Sequence, residues 1–199
     1  MNAKLISKQE TRIALLEKGM EIMLEKGYSN SGIQEILSAL QVPKGSFYHY
    51  FESKESYGVE IIRYYDQSYT ACLTRTLQNN QLTPIERLKD YCLSNTKNLA
   101  ARECRKGCLI GNLSQEMADQ SEVLRQELSS VMGKWRSIVA ACIKEGQEKG
   151  EIKRDWQPEA IAEIFLSGWS GAMMRAKTVK NTEPLETFMS LLLDGMLRA

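Results

Sequence analysis

Four prolines stand in a chain of 199 residues, Pro43, Pro84, Pro158 and Pro184, and each falls where a run of helically spaced apolar residues begins. Proline's fixed φ suits the first helical position and breaks a helix interior, so this placement marks helix starts. Long β-branched runs are missing. The chain is therefore predicted to be all-α. With 43% hydrophobic and 26% charged residues it has the composition of a globular protein with a buried core, not of a disordered or fibrous chain.

No apolar run reaches the roughly 18 residues that span a bilayer, and Met1-Asn2-Ala3-Lys4-Leu5-Ile6-Ser7-Lys8 lacks the apolar core of a signal peptide. The expected location is the cytoplasm, without a membrane partner. There the odd set of five cysteines, Cys72, Cys92, Cys104, Cys108 and Cys142, reads as thiols rather than a disulfide framework. A net charge of +1 gives no general attraction to nucleic acid. Through Lys54, seven basic residues (4, 8, 12, 18, 26, 44, 54) face six acids (10, 17, 21, 25, 35, 52). Any role on DNA must rest on local placement.

Such a placement occurs early. From Lys8 to Lys26, Ile13, Leu16, Met20, Met23 and Leu24 recur at three-and-four spacing, and Gly27 ends this first helix. Ser31, followed three residues on by Gln34, has the spacing of a capping box for a second helix carrying Ile33, Ile36, Leu37 and Leu40 inward. Gln41-Val42 forms a tight turn, and Pro43 opens a third helix. Lys44, Gly45 and Ser46 lie on its first turn, where small residues and the positive helix end favour approach to a phosphate. Phe47 and Phe51, four apart, point to the core and leave Tyr48, His49 and Tyr50 for the outer side. A support helix followed by helix, turn and helix is a DNA-binding arrangement, although short helix pairs also serve as plain packing units.

The run Pro43-Lys44-Gly45-Ser46-Phe47-Tyr48-His49-Tyr50-Phe51, then Ser53-Lys54-Glu55, resembles the signature of the TetR (tetracycline-repressor) family of bacterial transcription regulators. The resemblance covers about the first third of the chain, including Gly27-Tyr28. It implies a DNA-binding domain over 1–53 and a regulatory, dimer-forming helical domain over 54–199. It also implies that Lys44 and Tyr48 meet bases and nearby phosphates, while His49, Lys54 and the start of helix two near Ser31 hold phosphates.

Beyond Ser53, a cap, a long fourth helix is expected from Lys54 to about Asn79, with Tyr57, Ile61, Ile62, Tyr65, Tyr69 and Leu73 as its stripe. Thr83-Pro84-Ile85-Glu86 reads as cap, first-turn proline and capping-box acid of a fifth helix running to about Glu103. Leu109–Met117 is a sixth, and Ser121 caps a seventh that reaches Gly146 or Gly150. Helices then open at Pro158 and near Pro184. Ser167, Gly168, Gly171 and Ala172 permit close helix approach, either within the chain or across a four-helix dimer interface.

Cys108 precedes the sixth helix and follows Arg105 and Lys106, surroundings that stabilise a thiolate. Its alternative is a small buried hydrophobe. Gly107-Cys108-Leu109 with Asn112-Leu113-Ser114-Gln115-Glu116 resembles a TetR subgroup that includes a repressor responsive to N-ethylmaleimide and other electrophiles. That resemblance implies Cys108 as a sensor and Lys177 as a charge near the thiol; Cys104, four residues before, is the candidate resolving partner. Met117, Met132 and Trp135 either line a ligand cavity or belong to plain core. Two clustered thiols and one histidine, His49, do not make a four-ligand zinc site, and no metal or cofactor is expected. A cysteine-dependent enzyme would need a base that the chain does not supply. The expected function is a homodimeric repressor, bound to a palindromic operator and released by a small inducer or by cysteine modification. A purely non-covalent ligand pocket is the alternative.

Overall fold

The computed structural model describes residues 8–199; the first seven residues, which bear on the signal-peptide expectation, lie outside them. Among the described residues there are eight α-helices, one 3-10 helix, one π-helical segment and an isolated β-bridge from Ile152 to Arg198. None of these helices is long and apolar enough to cross a membrane.

Contacts divide the chain into two compact units. The first comprises the described residues up to Gln67 together with Leu109–Leu128; the second comprises Ser68–Cys108 and Ser129–Ala199. The expected functional division at residue 53 is thus not where packing divides the chain.

In the first unit, α1 (Lys8–Lys26) buries Leu15, Leu16, Ile22 and Met23, and α2 (Ile33–Ala39) buries Ile36 and Leu37. The 3-10 helix Lys44–His49 follows. The first part of α3 (Lys54–Leu77) adds Tyr57, Ile61 and Ile62, and α5 (Leu109–Met117) adds Leu109, Ile110, Leu113 and Met117. Phe47, Phe51 and Tyr57 form an aromatic knot, their ring centroids 4.6–5.3 Å apart, and the Tyr57 hydroxyl donates to the Leu15 carbonyl. Fixing α3 to α1 through one buried hydroxyl satisfies a polar group that would otherwise cost free energy in the core.

In the second unit, α4 (Pro84–Ala100) begins with the expected capping box: Glu86 Oε2 accepts the Thr83 N–H at 2.8 Å. The later part of α6 (Glu122–Glu148), α7 (Pro158–Val179), α8 (Glu183–Phe188) and the π-helical Met189–Met196 complete the core, with Tyr91, Phe165 and Trp169 at its centre. Gly168 fits against Phe188: a Cβ there would meet Phe188 Cε2 at 2.6 Å. That glycine serves packing within the chain, while Gly171 has no atom within 4 Å of its notional Cβ. The π-helical end was not foreseen. The residues just after it are held by Lys153 N–H to Leu197 O at 2.9 Å and Ala199 N–H to Glu151 O at 3.1 Å, beside the Ile152–Arg198 bridge.

Two local expectations are corrected. Gly32, not Ser31, is the cap of α2, and no side chain caps it. Ser31 is fully buried and its hydroxyl donates to the Tyr28 carbonyl at 2.6 Å, while Gln34 donates to Ser38 at 3.2 Å. A serine hydroxyl bonds its own turn as readily as it caps a helix, and here the turn wins. The third helix is a 3-10 helix, and Pro43, at φ −59° and ψ 141°, stands just before it rather than at its first position.

Candidate functional site

The 3-10 segment Lys44–His49, the candidate reading segment, is presented by a tight turn. The Val42 N–H reaches back to Leu37 O at 3.0 Å, and Gln41 adopts φ 55° to allow it. Buried Phe47 and Phe51 anchor the segment, which leaves Lys44, Gly45 and His49 exposed, Tyr48 63% exposed and Ser46 half-buried. A 3-10 helix eclipses residues three apart, so Gly45 lies in the row of Tyr48. No atom stands within 4 Å of the place where a Gly45 Cβ would be. Together they form an open notch beside an exposed phenol, suited to the sugar-phosphate edge and base edges of a duplex.

Two of the proposed phosphate contacts are placed differently. Ser31 offers no side-chain group to DNA, because its hydroxyl is buried and bonded as described. Lys54 is half-buried: its Nζ donates to Ser29 O at 3.3 Å and sits 4.6 Å from the Tyr28 ring centroid. Burial pushes its ammonium below the ordinary lysine value, against the opposing pull of Glu116. Lys54 thus braces the turn after α1. Glu116, which sequence reasoning read only as one letter of a family motif, meets the same turn: it accepts the Tyr28 and Ser29 N–H groups, each at 2.8 Å.

The second candidate region lies in the other unit. Cys108 is its last residue before the chain enters α5, and it is half-buried. The loop ahead of it is conformationally unusual: Glu103, Cys104, Lys106 and Gly107 all have φ between 51° and 73°. Non-glycine residues rarely adopt that region, so the loop is held against local preference. Lys177 covers Gly107, where a Cβ would lie 2.9 Å from Lys177 Cδ. Burial lowers the Lys177 ammonium from its ordinary value, as does Lys180, while Cys108 pulls it upward. Lys177 thus lies along the backbone of the residue that precedes Cys108. Of the two loop cations, Arg105 stands 3.5 Å from Glu103, both well exposed.

Tyr91 also belongs to this neighbourhood. Burial raises its phenol well above the ordinary value; the Tyr69 hydroxyl opposes that rise, while Cys92, Cys108 and Cys72 reinforce it. Cys104 is buried, and a cleft of 480 Å³ opens between Glu103–Arg105 and Lys180–Thr182. None of the five cysteines forms a disulfide. Of the expected liners of a ligand cavity, Met117 is buried in the core of the first unit; in the second, Trp135 stacks on Tyr69 and donates to Thr70 Oγ1 at 3.0 Å, and Met132 is 41% exposed. Among the described residues no cluster of His, Cys, Asp or Glu has the makings of a metal site.

Two family patterns match the chain: "Bacterial regulatory proteins, tetR family" over residues 15–56 and "Tetracyclin repressor-like, C-terminal domain" over residues 84–192. The HTH-type transcriptional repressor DhaR of Mycobacterium sp. (strain GP1) is 37% identical over 96% of this chain and 95% of its own. The transcriptional regulator AcuR of Cereibacter sphaeroides is 39% identical over 88% of this chain and 80% of its own. The crystal structure of the reduced form of E. coli NemR superposes with a TM-score of 0.86 at 29% identity, covering 95% of this chain and 98% of that one. These relatives are regulators rather than enzymes. A helix-turn-helix with an exposed aromatic reading segment, joined to a helical second unit and matched to these patterns at both ends, places the chain in the TetR family of DNA-binding transcriptional repressors.

Proposed function

We propose that the chain works in the cytoplasm as a homodimeric repressor whose operator binding is released by modification of Cys108. In this reading residues 1–53 read DNA and residues 54–199 regulate and dimerise. Each protomer presents Lys44, Gly45, Ser46, Tyr48 and His49 to one half of a palindrome, so that two short segments acquire specificity together. Dimerisation is supported by exposed apolar residues of the second unit: Ile164 and Met174 on α7, and Leu191 and Met196 on the π-helical end.

The observation that supports the Cys108 assignment is the placement of half-buried Lys177, whose Nζ lies 3.6 Å from where a Cβ of Gly107, the residue before the half-buried thiol, would stand. A nearby cation stabilises the thiolate, the form that attacks an electrophile. The similar E. coli NemR structure is described as a reduced form. The test is Cys108→Ser. The variant is expected to fold and bind operator as the wild type does, and to stay bound when N-ethylmaleimide releases the wild type in a gel-shift titration. Equal release of both proteins would remove Cys108 from the input. The second reading, a non-covalent inducer, is favoured by the cleft beside Cys104, where Arg105 and Lys180 would receive an anionic group.

A further inference from the structure

The turn that joins α1 to α2 is held by a residue far away in sequence. Glu116, one residue before the end of α5, accepts the Tyr28 N–H on Oε2 and the Ser29 N–H on Oε1, each at 2.8 Å. Two consecutive backbone donors on the two oxygens of one carboxylate fix both the position and the tilt of the turn. Gly27 makes the approach possible: it stands at φ +83°, and a Cβ there would lie 2.6 Å from Glu116 Oε2. On the other side of the turn Lys54 donates to Ser29 O and covers the Tyr28 ring. A second tie lies close by, where the Ser121 hydroxyl donates to Glu55 Oε1 at 2.6 Å in the first turn of α3.

Neither Tyr28 nor Ser29 belongs to the exposed reading segment, and Glu116 is partly buried beneath them. The carboxylate acts on α2 and the 3-10 helix only by fixing the turn from which they depart. We propose that Glu116 is a positioning residue for operator reading: it sets the orientation of the helix-turn-helix on segment 109–128 without touching DNA. A change in α5 would then alter sequence recognition while leaving the general attraction for phosphates intact.

The experiment uses the full chain carrying Glu116→Ala or Glu116→Gln, with an operator selected by the wild type from random oligonucleotides. Binding is followed by fluorescence anisotropy on that operator and on random-sequence DNA at the same salt. Glu116→Ala is expected to lose about tenfold on the operator and less than twofold on random DNA, since mispositioning costs base contacts and spares phosphate contacts. The slope of log affinity against log salt should stay at the wild-type value. Glu116→Gln, whose amide oxygen accepts one of the two N–H groups, should fall between Ala and wild type. Amide hydrogen exchange at Tyr28 and Ser29 should quicken in the same order. Equal losses on both DNAs would mean that Glu116 only holds the unit folded, and wild-type operator affinity in Glu116→Ala would mean that it positions nothing; either result overturns the proposal.

Discussion

Arg87 shows how much one residue settles in this protein. It is 2% exposed, an extreme position for a guanidinium. Its Nε donates to Asn79 O and Leu82 O at 2.8 and 2.9 Å, Nη1 to Glu145 at 2.7 Å and to Leu77 O at 3.3 Å, and Nη2 to Asn80 at 3.3 Å. The planar fork thereby satisfies the carbonyls left open where α3 ends and ties them to α6. Arg87→Met should lower stability by about 3–5 kcal/mol, because it orphans several buried acceptors at once. A urea unfolding midpoint would show it, and a loss under 1 kcal/mol would mean that water replaces the guanidinium there. Nothing in the sequence marked this arginine, since on helical periodicity alone it reads as one more surface charge. Glu116 and Lys177 escaped full reading for the same reason: their partners lie 88 and 70 positions away, at Tyr28 and Gly107.

Among the elements, those with self-contained signals were legible. Thr83 with Glu86, Ser53 with the Ser56 N–H at 3.0 Å and Ser121 with the Leu124 N–H at 3.1 Å all close within three residues, and all cap the helices they were expected to cap. The α5 boundaries, Leu109 and Met117, are also those predicted. The misread elements are those where two local solutions compete, as at Ser31, or where packing overrides helix type, as in the reading segment. There buried Phe47 and Phe51 draw a short piece against Tyr57, and a tighter 3-10 turn satisfies them. The consequence for recognition is specific: Tyr48, 63% exposed, shares its row of the 3-10 helix with Gly45, which has no side chain. Tyr48→Ala should cost on the order of 1–3 kcal/mol of operator binding with little change in melting temperature. Unchanged affinity in a gel-shift titration would exclude Tyr48 from the interface.

For the whole molecule, the proposed dimer links both readings of function. On α7, Ile164, Gly171 and Met174 fall on one helical side, and Ile164 is 61% exposed; Leu191, on the π-helical end, is 63% exposed. Apolar side chains of that size carry a cost in water that a second copy removes. The double variant Ile164→Asp, Leu191→Asp should sediment as a monomer and bind a palindromic operator about 10²-fold more weakly, because the second half-site is no longer reached from the first. A variant that remains dimeric would move the interface elsewhere on the chain.

The recruitment of Leu109–Leu128 into the unit that holds the helix-turn-helix bears on exchange of parts between regulators. A recombination crossover at residue 53 looks natural on the sequence, yet it would graft a reading head without the carboxylate its first turn leans on. The heritable module is discontinuous. Swaps that preserve operator choice should carry both pieces, and insertions between α1 and α2 should be tolerated only where a glycine and a distant glutamate still meet.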